Sequence, residues 1–116
     1  MAHPVVHFEI RSPDPDQTRA FYGKLFGWTF PEGGAPGYTF IDTDVPGAIP
    51  GGIGPAQDGG PLVTFFVGVP DVAATLDAAV AHGGRVIQQA TSVPGVTFGL
   101  LADPHGQVVG LASVDA

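Results

Sequence analysis

Positions 5–11 alternate. Val6, Phe8 and Ile10 fall on one face of an extended segment and Val5, His7, Glu9 and Arg11 on the other, which predicts a strand. The period changes at Ser12-Pro13-Asp14-Pro15. Asp14 has the chemistry of a helix cap, Pro15 suits the first helical position, and Gln17 stands three residues past the cap. Phe21 and Leu25, and Tyr22 and Phe26, then recur at i, i+4 in two apolar rows, and Gly27 can stop the helix in the left-handed conformation. Short strands are expected at 28–30 and 38–41. The stretch from Pro46 to Pro61 is dominated by Gly and Pro and leaves room for one short strand near 51–54. A strand pattern returns at 62–68. Asp71 caps a second helix with Val72, Leu76 and Val80 on one stripe, stopped at His82-Gly83-Gly84. Strands follow at 85–89, 97–102 and 107–113, with Asp103-Pro104-His105-Gly106 as a turn between the last two.

The second pattern repeats the first. A displacement of 57 residues pairs Phe8 with Phe65, Pro13 with Pro70, Asp14 with Asp71, Thr18 with Thr75 and Gly27 with Gly84. With one inserted residue, Pro36-Gly37-Tyr38-Thr39-Phe40 falls on Pro94-Gly95-Val96-Thr97-Phe98. The matches lie at strand core, turn, cap, helix stop and next strand, which predicts a duplicated β-α-β-β-β unit. The expected organisation is a single domain of residues 1–116, with modules at 1–54 and 62–116 and a linker at 55–61. Neither module is large enough to bury both faces of its sheet, so two must pair, within the chain or across a dimer.

Composition narrows the function. The 116 residues are 44% hydrophobic with a mean hydropathy of +0.25, which supports a packed core despite 18 Gly and 12 Pro. Four Lys and Arg against eleven Asp and Glu, a net charge of −7, argue against nucleic acid and anionic membranes as partners. The lack of cysteine excludes a disulfide framework, thiolate metal sites and a Cys nucleophile. The sequence shows neither a long apolar run nor a signal pattern, so a cytoplasmic protein is expected. Gly51-Gly52-Ile53-Gly54 lacks the lysine and helix of a phosphate loop, and no nucleophile-elbow pattern occurs.

The chain resembles the vicinal oxygen chelate superfamily, which takes in glyoxalase I, bleomycin- and fosfomycin-resistance proteins, methylmalonyl-CoA epimerases and extradiol dioxygenases. The likeness rests on Val6-His7-Phe8-Glu9-Ile10, on Ala20-Phe21-Tyr22 through Leu25-Phe26-Gly27-Trp28, and on Val69-Pro70-Asp71-Val72. His82-Gly83-Gly84 and Asp103-Pro104-His105-Gly106-Gln107 leading into Gly110-Leu111 complete it. The resemblance implies an α+β fold: two tandem βαβββ modules forming a half-open, curved mixed sheet with helices outside. Val6, Phe8, Ile10, Val63, Phe65 and Val67 would face the helices, and His7, Glu9, Thr64 and Phe66 the hollow of the sheet.

It also implies where metal ligands would stand. A divalent ion needs three or four His, Asp or Glu side chains and an open position. His7 matches one ligand position. Its repeat mate is Thr64, the carboxylate expected after Asp-Pro-x-Gly falls on Gly110, and the corresponding point of the first module falls on Gly51 or Gly52. Glu9 lies two residues from His7 on the same strand face, with the two side-chain bases about 6.5–7 Å apart. No metal site and no cofactor are therefore expected. His3, His82 and His105 read as solvated.

What remains is a cup lined by His7, Glu9, Thr64, Phe66, Val108 and Ala112, with Trp28 and Tyr38 at its rim and glycines widening it. Apolar walls with a few polar anchors suit a small, partly hydrophobic molecule. His7 and Glu9 are the candidate acid–base pair, unless Glu9 pairs with Arg11 and His7 bonds across the sheet. The expected function is a metal-free, homodimeric, small-molecule-binding protein of the glyoxalase/bleomycin-resistance type, acting by sequestration or as a metal-independent enzyme. The alternative is a divalent-metal-dependent lyase or isomerase of glyoxalase or epimerase type.

Overall fold

A computed structural model describes residues 2–33, 36–57 and 60–114. The chain divides into two compact units, one of His7–Val63 and one of Met1–Val6 with Thr64–Ala116.

The first unit holds most of β1 (Val5–Ser12), helix α1 (Pro15–Phe26), β2 (Thr39–Ile41) and β3 (Gly51–Pro55). Strand β1 runs parallel to β3, and β2 antiparallel to β3, giving the order β2-β3-β1. The helix begins and ends where the sequence signals stand. The Asp14 side chain accepts the Gln17 N–H at 3.1 Å, and Gly27 adopts φ +74°, which only glycine takes without strain. Ile10, Ile41 and Ile53 form the core, with Phe8, Tyr22, Trp28 and Phe30 packed against it. Of the two expected helix rows only Tyr22 packs on the core, stacking on Trp28 at 5.5 Å between ring centroids, whereas Phe21, Leu25 and Phe26 are more than half exposed.

The expected strand at 28–30 is reduced to isolated pairs, Thr29 with Asp42 and Glu32 with Thr39. Pro31 sits between them and has no N–H, so it only accepts, from Phe40 N–H at 2.8 Å, and the ladder cannot run through.

The second unit carries most of β4 (Leu62–Gly68), then α2 (Val72–Ala81), β5 (Arg85–Val93), β6 (Val96–Ala102) and β7 (Val108–Val114), in the order β4-β7-β6-β5. Asp71 caps α2 by accepting the Ala74 N–H at 3.0 Å. Val69, Val72, Leu76 and Leu111 form its core, joined by Val67, Val86 and Leu101. Two expectations fail here. Val80 is exposed although it shares the α2 stripe, and Val63 and Phe65 are exposed although they lie on the face expected to meet a helix. The α2 core reaches only the Val67 end of that face, so Val63 and Phe65 lie beyond it. Strand β5 runs four residues past its expected end through two register shifts against β6. Helices and mixed parallel and antiparallel ladders place the chain in the α+β class.

Candidate functional site

The register of β1 against β3 sets Glu9 opposite Gly52. Side chains alternate along β1, so His7, Glu9 and Arg11 share the face opposite Phe8 and Ile10, which enter the core. On that face β3 has no side chains to offer, and the space above it is taken by Tyr38, the residue just before β2. A Cβ at Gly52 would overlap the Tyr38 hydroxyl, and one at Gly54 would come within 2.9 Å of its ring. The glycines are therefore a slot for a phenol laid flat across the strand.

The phenol reaches His7. Tyr38 Oη lies 2.9 Å from His7 Nε2, and the charge of Glu9 acts on both side chains. Glu9 is 8% exposed, and its Oε2 accepts from Arg11 Nε at 2.6 Å. Four polar side chains, His7, Tyr38, Glu9 and Arg11, thus form one connected cluster within the first unit. Burial lowers the His7 pKa below its ordinary value by penalising the imidazolium, with the Glu9 charge pulling the other way. Burial also raises the Tyr38 pKa strongly, helped by the charge of Glu9 and opposed by Arg11. At neutral pH the cluster therefore holds an uncharged imidazole and an uncharged phenol beside a carboxylate–guanidinium pair. It can exchange hydrogen bonds and pass a proton between His7 and its neighbours.

Of the residues expected in the site, His7, Glu9 and Tyr38 are brought together. Trp28 stands apart from this cluster. It packs on Tyr22, Phe26 and Phe8, at 5.5, 5.2 and 6.0 Å between ring centroids, on the core side of the first unit. Thr64, Phe66 and Val108 lie in the second unit, where Thr64 Oγ1 donates to the Val108 carbonyl at 2.7 Å. Phe66 is buried and pairs in register with Gly110. A Cβ on Gly110 would come within 2.5 Å of the Phe66 ring. The expectation that glycine widens a cavity is thus overturned at each position: Phe8 fills the space at Gly51, Tyr38 at Gly52 and Phe66 at Gly110. The pairing of Glu9 with Arg11 is the alternative that the alternation of β1 already offered. The Asp103 motif is a turn, its carboxylate accepting from the His105 and Gln107 N–H groups at 2.9 Å each.

Among the described residues no three His, Asp or Glu side chains converge as metal ligands. The two nearest candidates are otherwise engaged. His7 Nε2 is held by Tyr38, and Glu9 already carries a cation in Arg11 that would repel a second. Among the described residues, His7 and Glu9 so engaged do not make a three-ligand set for an ion. Among the described residues no helix is long and apolar enough to cross a membrane.

A family model described as a glyoxalase-like domain matches residues 7–112. Two proteins bearing the name glyoxylase CFP32, from Mycobacterium bovis and Mycobacterium tuberculosis, are each 27% identical to this chain, over 89% of it and 42% of their own length. The chain thus spans about two fifths of the curated relatives it matches. Among solved structures, methylmalonyl-CoA epimerase from Mycobacterium tuberculosis is similar with a TM-score of 0.64 at 16% identity, covering 97% of this chain and 88% of that one. A glyoxalase/bleomycin resistance protein/dioxygenase superfamily member from Vibrio splendidus gives 0.62 at 15% identity, covering 98% and 100%. At these identities the structural likeness shows the fold alone.

Proposed function

The chain belongs to the glyoxalase-like family, and from that premise we propose that it binds a small, partly hydrophobic molecule against the β1 face carrying His7, Glu9 and Tyr38, without a metal ion. The observation that supports this reading is the closed pairing of the polar cluster. His7 and Glu9, the two side chains with ligand chemistry, are spent on Tyr38 and Arg11. What the cluster offers a ligand is hydrogen bonds from neutral groups beside an internally balanced charge pair, set near the rings of Tyr38 and Phe40, 5.7 Å apart. His7 and Glu9 stand as the acid–base candidates if turnover occurs, which would make the chain a metal-independent lyase or isomerase. A homodimer is part of the same proposal, because Phe65 on β4 and Phe21 and Leu25 on α1 are exposed.

The test has two arms. Protein purified without chelators is analysed for metal, and a thermal-shift screen is run with neutral and anionic aromatic metabolites. The reading expects no stoichiometric transition metal, and at least one compound that raises the melting temperature of the native chain but not of His7→Ala. Stoichiometric nickel, zinc, manganese or iron lost on His7→Ala would instead establish the metal-dependent lyase or isomerase.

A further inference from the structure

The two units make the same backbone pairing with different side chains. A displacement of 57 residues sets Glu9 on Phe66, and each stands opposite a glycine, Glu9 at Gly52 and Phe66 at Gly110. Over Gly110 the space is filled by the strand residue itself, whose ring is 5% exposed. Over Gly52 the strand residue is the ion-paired Glu9, and the ring comes from Tyr38, a half-buried residue that follows the turn at Pro36-Gly37. Gly37 holds φ +77°, so that turn depends on glycine. Three further glycines follow the outline of the phenol. A Cβ at Gly33 would overlap the ring at Cδ1, one at Gly52 would overlap the hydroxyl, and one at Gly54 would come within 2.9 Å of Cδ2. The rings packed on the core of this unit are Phe8, Tyr22, Trp28 and Phe30. Tyr38 fills a slot on the opposite face.

We infer that this slot is the binding place of a neutral aromatic ring bearing a hydroxyl, and that Tyr38 occupies it as a stand-in which the ligand displaces. The incoming ring lies on Gly52 and Gly54 and meets Phe40 edge-on, as Tyr38 does. Its hydroxyl takes the place of Tyr38 Oη, 2.9 Å from His7 Nε2. Tyr38 leaves by turning about its own χ1, which breaks no ladder bond. Burial, aided by the Glu9 charge, keeps the Tyr38 phenol protonated, and it holds a ligand phenol neutral in the same way. Because the slot is filled in the free protein, the apparent affinity is the intrinsic one reduced by the fraction of chains in which Tyr38 stands aside. The inference rests on the binding reading above and names its ligand class.

The probe is 4-methylphenol, the tyrosine side chain as a free molecule. In the native full chain at saturation, nuclear Overhauser contacts between the Tyr38 ring and the α-protons of Gly52 and Gly54 should vanish, and contacts from the ring of the probe should replace them. The chain has two tyrosines, so Tyr38→Phe identifies the Tyr38 signals. That variant also removes the hydroxyl that contacts His7 without opening a cavity, so calorimetric titration should show the probe binding it about fivefold more tightly than the native chain. Toluene, with the ring and no hydroxyl, should bind the native chain about fivefold more weakly than 4-methylphenol. Absence of probe binding to the native chain, weaker binding to Tyr38→Phe, toluene binding as well as the probe, or a bound probe with the Tyr38–glycine contacts intact overturns the inference. A different compound that binds through His7 while Tyr38 keeps its slot also overturns it, yet leaves the binding reading standing. Should Tyr38→Phe fail to fold, the contacts in the native chain decide.

Discussion

The ring of Phe66 occupies the space that a side chain at Gly110 would need, its Cδ2 2.5 Å from where a Cβ would stand, and the two residues pair directly across the parallel β4–β7 ladder. Ring and glycine are one packing unit. Placing glutamate at 110 should therefore not create an ion ligand. It should drive Phe66 out of its buried position, with an overpacking cost of about 1–3 kcal/mol. Urea denaturation of Gly110→Glu should show that loss, and Phe66→Ala combined with Gly110→Glu should show a clear positive coupling relative to the two single changes. Strict additivity would mean that the ring does not depend on the missing side chain.

Arg11 and Glu9 are each 11% exposed in their side chains, and their pairing is what makes a buried carboxylate tolerable. Removing only the cation, as Arg11→Met, leaves Glu9 desolvated without its partner and should cost about 3–5 kcal/mol. Arg11→Met with Glu9→Gln removes both charges and should recover most of that loss. Equilibrium unfolding of the two variants checks it, and the outcome against the argument is a double variant no more stable than Arg11→Met.

Much of this was legible in the sequence, and what was not shares a cause. Caps at Asp14 and Asp71, the stop at Gly27 and the alternation of β1 are local signals, and the structure follows them. The exposure of Phe65 and Val63 was not legible, because a period-2 pattern does not say how far along a strand face the helix core reaches. Trp28 looked equally suited to a rim or a core, since an aromatic beside a helix stop satisfies both patterns. The glycines misled most. An absent side chain reads as empty space until the register of β1 and β3 brings Tyr38, 14 residues upstream of Gly52, across it.

Stability should depend on His7 in one direction. Burial holds its pKa in the folded state below the ordinary 6.5, so between that lowered value and 6.5 the unfolded chain binds more protons than the native one. Its contribution is complete above 6.5 and is lost as pH falls through the lowered value. Denaturant midpoints should thus be flat just above 6.5 and decline below it, with a shallower decline in His7→Gln, which has no proton to take up. An equally steep decline in that variant would assign the effect to other groups.

Trp28 is the only tryptophan in the chain and packs with Phe8, Tyr22 and Phe26, while His7, Glu9 and Tyr38 hold the opposite face of β1. Its emission should follow unfolding of the first unit and should not respond to a molecule bound at His7, because the strand and the Phe8 ring stand between them. Trp28→Phe should leave affinity within about twofold, a difference well under 1 kcal/mol, while lowering stability through lost packing. A ligand whose binding is confirmed by thermal shift and abolished in His7→Ala provides the titrant. If it quenches or shifts the Trp28 emission by direct contact, seen as energy transfer lost in Trp28→Phe together with a tenfold loss of affinity, then Trp28 belongs to the binding surface. The core assignment made from its ring contacts would then be wrong.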